Sequence, residues 1–253
     1  MFAAFLVAFF TLFTGFGLGT LLLPAFALVF PPLAAVAATA VVHGLNNLFK
    51  LTLLWRNVDR RVLFVFGFPA VLAAIPGARL LTHLAELSGS LSWQLGALNG
   101  EVTAIKSALG MLILFFAWLE LSAVVKRLQI NRRWLPLGGI VSGFFGGLSG
   151  HQGAFRAAFL GPLGLSPGAW AGTQAAIAVV VDATRVLVYG GAFMSSGLQN
   201  AADARPLVAV TLAAFAGSYA GKRLLHKTTM EGIRRVTGVL LLLTGTALAT
   251  GLI

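Results

Sequence analysis

The sequence predicts an all-α polytopic membrane protein made of two four-segment repeats. Three observations carry this reading. The composition is apolar and poor in charge, the chain divides into eight apolar stretches, and its two halves echo one another.

Only 10% of the 253 residues are charged, 58% are hydrophobic, and the mean hydropathy is +0.92. A soluble domain carries ~25% charged residues, so this chain could not cover a water-facing surface. That disfavours a soluble enzyme, a nucleic-acid binder and a disordered tail together. The 18 Lys+Arg exceed the 7 Asp+Glu for a net charge of +11. In a membrane protein such an excess marks cytoplasmic loops and not a polyanion partner. Cysteine is absent, so disulfides, thiolate metal sites and Cys nucleophiles are excluded. Met1-Phe2-Ala3-Ala4-Phe5 has no basic n-region, so no cleavable signal is expected. The chain reads as a single membrane domain over residues 1–253.

A helix needs roughly 20 apolar residues to cross a bilayer. Apolar stretches fall at 2–30, 33–55, 62–82, 102–125, 134–165, 168–194, 206–225 and 233–252. Three strongly basic breaks separate them, at 56–61, 126–133 and 222–235, and two neutral ones at 83–101 and 195–205. The halves 1–125 and 134–253 align as repeats. Gly15-Phe16-Gly17-Leu18-Gly19 lies over Gly150-His151-Gln152-Gly153-Ala154. At that offset Pro32 lies over Pro167, Asn47 over Asp182 and Lys50 over Arg185. Further on, Gly77-Ala78-Arg79-Leu80-Leu81 lies over Gly221-Lys222-Arg223-Leu224-Leu225, and Gly110 over Gly238.

Charge then decides topology. With eight full crossings, the basic break 222–235 would face the side opposite the other two, against the positive-inside tendency. If 134–194 crosses only once, all three basic breaks share the cytoplasmic face. The stretch 134–165 is the one expected to enter and return. Gly146-Gly147-Leu148-Ser149-Gly150-His151-Gln152-Gly153 interrupts its middle, and its length is too short for two crossings at a 1.5 Å rise. Each repeat is therefore expected to be a re-entrant, glycine-broken hairpin followed by three transmembrane helices. An odd number of crossings inverts one repeat relative to the other, an architecture common among secondary transporters.

Ionisable and polar residues inside apolar stretches are expensive and point to function. Here they cluster in the hairpins and in the helix after each: Thr39, His43, Asn46, Asn47 and Lys50, then His151, Gln152, Arg156, Thr173, Gln174, Asp182 and Arg185. Thr39, His43 and Asn47 share one helical face. Asp182 and Arg185 are spaced to pair at i,i+3, which by itself would only neutralise the two. Half-helices beginning near Thr20 and Phe155 would turn unpaired N–H groups towards the midplane, where Gly17, Gly19, Gly150 and Gly153 permit close approach of an anion. Tight packing through small residues is the plainer use of those glycines. Arg156, one turn into its half-helix, would add a bidentate donor for an oxyanion.

At these motifs the sequence resembles the sulfite exporter TauE/SafE family, also called the toluene sulfonate uptake permease family. The first copy reads Gly15-Phe16-Gly17-Leu18-Gly19-Thr20-Leu21-Leu22-Leu23-Pro24, close to that family's glycine-rich stretch and following proline. The second, Ser149-Gly150-His151-Gln152-Gly153-Ala154-Phe155-Arg156, lacks the later glycines and the proline. The resemblance implies a multi-pass carrier of the bacterial cytoplasmic (inner) membrane for sulfite, sulfonates or related anions.

The expected function is secondary transport of a small sulfur-containing anion near the midplane. Gly17, Gly19, Thr39, Asn47, Gly150, Gln152, Gly153 and Arg156 are the expected substrate contacts. His43, His151 and Asp182, with Lys50 and Arg185, are the expected proton-coupling or charge-relay groups, since histidine titrates near neutral pH. With no ATP-binding sequence, proton or sodium coupling or facilitated diffusion is expected. No cofactor, metal or nucleic acid is expected; the lipid bilayer is a partner, and a homodimer is left open. The alternatives are a channel-like anion permease or a carrier of a non-sulfur organic anion. An enzyme is disfavoured, because no Ser/His dyad, paired carboxylates or His-x-x-x-His spacing occurs.

Overall fold

The computed structural model describes residues 18–28, 30–122, 130–196, 208, 211–212, 215–216 and 230–253. The segment around Gly15 and Gly17, and nearly all of the expected span 206–225, lie outside the described residues. Helix α1 covers Leu18–Ala27 and carries Pro24. Helix α2 is Pro32–Leu54, opened by Pro32, whose missing N–H costs nothing in a first turn. A 3₁₀ turn, Trp55–Asn57, ends it. Helix α3 runs Arg60–Glu86. Asp59 caps it by accepting from the Val62 N–H at 3.0 Å. Its first part contains a π turn, Leu63–Gly67. Pro69 comes two residues after it, and its ring excludes the carbonyl four residues back, which lies within the π turn.

The neutral break between the third and fourth expected spans is not a plain loop. Strands β1 (Ser90–Leu95) and β2 (Leu98–Thr103) pair antiparallel, from Ser90 opposite Thr103 to Leu95 opposite Leu98. Gly96, at φ +60°, supplies the positive φ that a two-residue hairpin turn requires. Among the described residues the regular structure is thus helical apart from this hairpin. Ser90-Leu91-Ser92-Trp93-Gln94-Leu95 does alternate polar and apolar, a period-two signal that a span-by-span reading passes over.

Helix α4 (Ala104–Leu121) follows, capped by Thr103. Beyond residues 123–129, a 3₁₀ turn Arg132–Trp134 leads into α5 (Leu135–Ser149). Gly150 ends α5 in the left-handed region at φ +84°, and its N–H donates to the Gly146 carbonyl at 2.8 Å. Helix α6 (Gly153–Leu160) starts two residues earlier than the expected Phe155. At 1.5 Å per residue α5 is about 22 Å long and α6 about 12 Å, each short of the ~30 Å hydrocarbon core. Helix α7 is Pro167–Ser196 and α8 is Met230–Ala249.

Packing gives each helix its direction. A Cβ on Gly139, Gly143 or Gly147 of α5 would strike the carbonyl oxygens of Phe66, Ala70 or Ala74 on α3, in that order. The two helices are therefore parallel, backbone against backbone. Gly172 lies against Leu54 and Gly44 against Asp182, so α2 and α7 are antiparallel. Gly110 meets Ala249 and Gly238 meets Leu121, so α4 and α8 are antiparallel too. Gly168 touches Asn57, and the Asp59 N–H donates to Thr173 Oγ1 at 2.9 Å. One end of the molecule thus gathers the end of α2 and the starts of α3, α5 and α7. The other end holds the hairpin, where Trp93 Nε1 donates to the Thr250 carbonyl at 2.6 Å and the Glu101 N–H to Gly251 at 3.0 Å.

Among the described residues, two apolar clusters form the core. One joins α1, α2, α4 and α8 through Leu23, Val36, Ile113 and Leu241; the other joins α3, α5, α6 and α7 through Phe66, Leu135, Leu160 and Ile177. Among the described residues, Pro32–Asn57, Arg60–Glu86 and Pro167–Ala192 are long and apolar enough to cross a membrane.

Candidate functional site

A run of buried polar side chains lies where α2, α7 and the α5–α6 break meet. Its centre is Asp182 on α7, about 1% exposed. His43 Nδ1, on α2, is 2.6 Å from Asp182 Oδ2. With the carboxylate ionised, Nδ1 carries the shared hydrogen. Arg185 Nε lies 3.0 Å from Asp182 Oδ1, within ion-pair distance but outside hydrogen-bond alignment. Gln152 Nε2, from the helix break, donates to the same oxygen at 3.3 Å. One carboxylate therefore ties three elements together.

Arg185 also reaches the α5 terminus. Its Nη1 donates to the Gly146 carbonyl at 3.2 Å, and the guanidinium packs on the Cα of Gly150. A side chain at residue 150 would collide with it, and φ +84° excludes most other residues as well. Tyr189, one turn further along α7, donates its hydroxyl to the Gly147 carbonyl. Ser142 donates to the Gln152 carbonyl at 3.1 Å and so closes the break from the α5 side.

Arg156 is buried in α6 and donates through Nη1 to the Gln174 carbonyl at 3.1 Å. Lys50 is buried near the end of α2. Among the described residues, the buried formal charges are thus Lys50, Arg156 and Arg185 against Asp182. His151 stacks on Phe116 of α4, with ring centroids 4.9 Å apart. Its Nδ1 is 3.1 Å from Ser149 Oγ, which donates its own hydrogen to the Phe145 carbonyl. Nδ1 therefore donates to Ser149, and Nε2 is left with a lone pair.

The expected site residues fall into groups. Gln152, His43, Asp182 and Arg185 are brought into direct contact. Gly150 and Gly153 flank the break itself, Arg156 lies a turn into α6, and His151 faces the aromatic side of α4. Thr39 and Asn47 are buried on α2, where each hydroxyl or amide bonds a carbonyl of its own helix, Ala35 at 2.8 Å and His43 at 2.8 Å. Gly19 is in the first turn of α1, and Gly17 lies outside the described residues. Sequence reading missed Ser142, Ser149 and Tyr189. Tyr189 sits four residues after Arg185, the helical spacing that could have flagged it; the two serines were hidden in a glycine-rich run.

Several buried atoms in this region have no hydrogen-bond partner among the described residues: His151 Nε2, Gln152 Oε1, Arg185 Nη2 and both amide atoms of Gln174. Buried polar groups are nearly always satisfied, so such atoms point to a ligand or ordered water. A cavity of about 220 Å³ between α2 and α7 reaches Asp182, although its walls, such as Val41, Leu48 and Val186, are apolar. A larger cleft, about 600 Å³, lies away from these charges at the hairpin, beside Trp93 and Glu101.

Residues 1–248 match the family model described as sulfite exporter TauE/SafE. The chain belongs to the sulfite exporter TauE/SafE family. No curated protein and no solved structure matched. The family is one of membrane transporters, and the long apolar helices α2, α3 and α7 accord with a multi-pass member of it. In this TauE/SafE chain, the buried Asp182 and Arg185 bond to the two sides of the helix break, and the buried Arg156 lies a turn into α6.

Proposed function

We propose that this TauE/SafE protein is a secondary transporter of sulfite, a sulfonate or a related small oxyanion, bound beside the α5–α6 break. The observation that carries this is the excess of formal positive charge among the described buried residues: Lys50, Arg156 and Arg185 with Asp182. That excess of formal positive charge favours an anion over a cation beside the break. Arg156 suits that role as a planar donor. The first-turn N–H groups of α6 add a positive helix end. Gly150 and Gly153 keep side chains away from that backbone. Thr39, Asn47 and Gln152 offer neutral polar contacts, and Gly17 and Gly19 belong to the matching sequence stretch of the first repeat.

Coupling is assigned to the His43–Asp182–Arg185 relay. A proton on His43 would strengthen its hold on Asp182, and its loss would loosen α2 from α7. His151 and Lys50 are the neighbouring groups that such a proton or anion would meet. Alternating access about a central site follows from an inverted repeat. Its supports are the antiparallel pairing of the matched helices α2 with α7 and α4 with α8, and the return of the chain by Gly168 to the end it left at Arg132. The location is the bacterial cytoplasmic membrane, with the arginine-rich end inside.

The test is anion flux in proteoliposomes. Arg156→Ala should lower sulfite or sulfonate uptake at least tenfold, in line with the ~1.5–3 kcal/mol of a hydrogen bond to a charged group. Unchanged flux would remove Arg156 from the site. Countertransport of a preloaded anion is expected of a carrier and not of a channel.

A further inference from the structure

The arginines of two separate loops meet at one end of the molecule. Because α3 and α5 are parallel and in contact from Phe66–Gly139 to Ala74–Gly147, their starts lie side by side. Val62 and Leu135 share one apolar cluster just below those starts. Arg60 and Arg61 on α3 therefore neighbour Arg132 and Arg133 before α5, with Arg56 on the turn that leads into α3. All five are exposed. Among the described residues none of them forms an ion pair. The one acid in this stretch, Asp59, spends its carboxylate on capping α3.

Two tryptophans mark the depth. Trp55 is 57% exposed with the Arg56 guanidinium 5.7 Å from its ring, and Trp134 is 47% exposed with Arg133 at 5.5 Å. Exposed tryptophan belongs at the headgroup level of a bilayer. Exposed apolar side chains begin immediately inward, with Phe64 on α3 and Leu137 on α5. The five guanidiniums thus stand where lipid phosphates lie, and two helix starts add their partial positive charge there.

We infer that the paired starts of α3 and α5, with Arg56, Arg60, Arg61, Arg132 and Arg133, form a binding site for the headgroup of an anionic phospholipid. Guanidinium pairs take a phosphate bidentately, and basic patches between transmembrane helices bind anionic headgroups. The tryptophans and the apolar belt beneath select a lipid over a soluble acidic protein. The site is independent of the transport reading, since it shares no residue with the buried cluster.

The test uses the full chain in neutral detergent, titrated with phosphatidylglycerol or phosphatidylcholine and followed by native mass spectrometry. At least tenfold tighter binding of phosphatidylglycerol is expected. A variant with Arg60→Gln, Arg61→Gln, Arg132→Gln and Arg133→Gln should lose that preference, whereas Arg79→Gln with Lys106→Gln should keep it. A preference retained by the fourfold variant overturns the site. So does full competition by inorganic phosphate at the lipid concentration, which would mean a free-anion site, or binding of poly-glutamate without any lipid preference. Should the fourfold variant fail to fold, quenching in the native chain decides. Brominated phosphatidylglycerol should quench tryptophan fluorescence more than brominated phosphatidylcholine, and the difference should vanish in Trp55→Phe with Trp134→Phe. Equal quenching overturns the inference.

Discussion

Asp182 shows how much one buried carboxylate can organise. It holds His43 of α2, Arg185 of its own helix and Gln152 of the α5–α6 break. Removing one partner of a buried ion pair costs ~3–5 kcal/mol, because the other charge remains buried and uncompensated. Asp182→Asn keeps the shape and removes the charge, so thermal unfolding in detergent should fall markedly. Adding Arg185→Gln should recover part of the loss, as coupled residues do in a double-mutant cycle. Equal loss in the single and double variants would mean that the pair is not the source of the stability. The pair was legible from i,i+3 spacing alone. Its third and fourth members were not, since residues 43 and 152 meet 182 only across helices.

At the level of elements, backbone contact between α3 and α5 sets the position of the break. Gly139, Gly143 and Gly147 recur every four residues and let the carbonyls of Phe66, Ala70 and Ala74 approach directly. A methyl at residue 143 would meet the Ala70 carbonyl, so the helices would have to part. Gly143→Ala should destabilise by ~1–3 kcal/mol, as overpacking does, read as a lowered melting temperature. An added methyl that leaves the melting temperature unchanged would mean that the contact is loose. The hairpin is the element that the span reading did not foresee. Its six-residue strands were too short to weigh against eight apolar stretches, and its anchor, the Trp93–Thr250 bond, joins residues far apart in sequence.

For the whole molecule, the decisive prediction concerns sides. Asn57, Asn131 and Ser166 lie at the arginine-rich end and Asn99 in the opposite hairpin, all exposed. The chain contains no cysteine, so single replacements report cleanly. An impermeant maleimide should label Asn57→Cys, Asn131→Cys and Ser166→Cys from one side of the membrane and Asn99→Cys from the other. Labelling of Asn131→Cys and Ser166→Cys from opposite sides would turn α5–α6 into a crossing and remove the re-entrant design.

Hydropathy and the basic loops were enough to determine a membrane protein and its apolar stretches, and the glycine-rich motif from Gly15 to Pro24 pointed to its family, because these depend on composition and on residues near in sequence. A glycine break within 146–153 was legible for the same reason, and the structure narrows it to 150–152, where Gly150 in the left-handed region ends the helix. Tertiary structure alone decided which residues act together. It drew His43 and Gln152 onto Asp182 and laid two arginine loops side by side. Those choices depend on helix direction and on how closely glycine lets backbones approach, and such long-range geometry is not carried by the periodicity of any one segment.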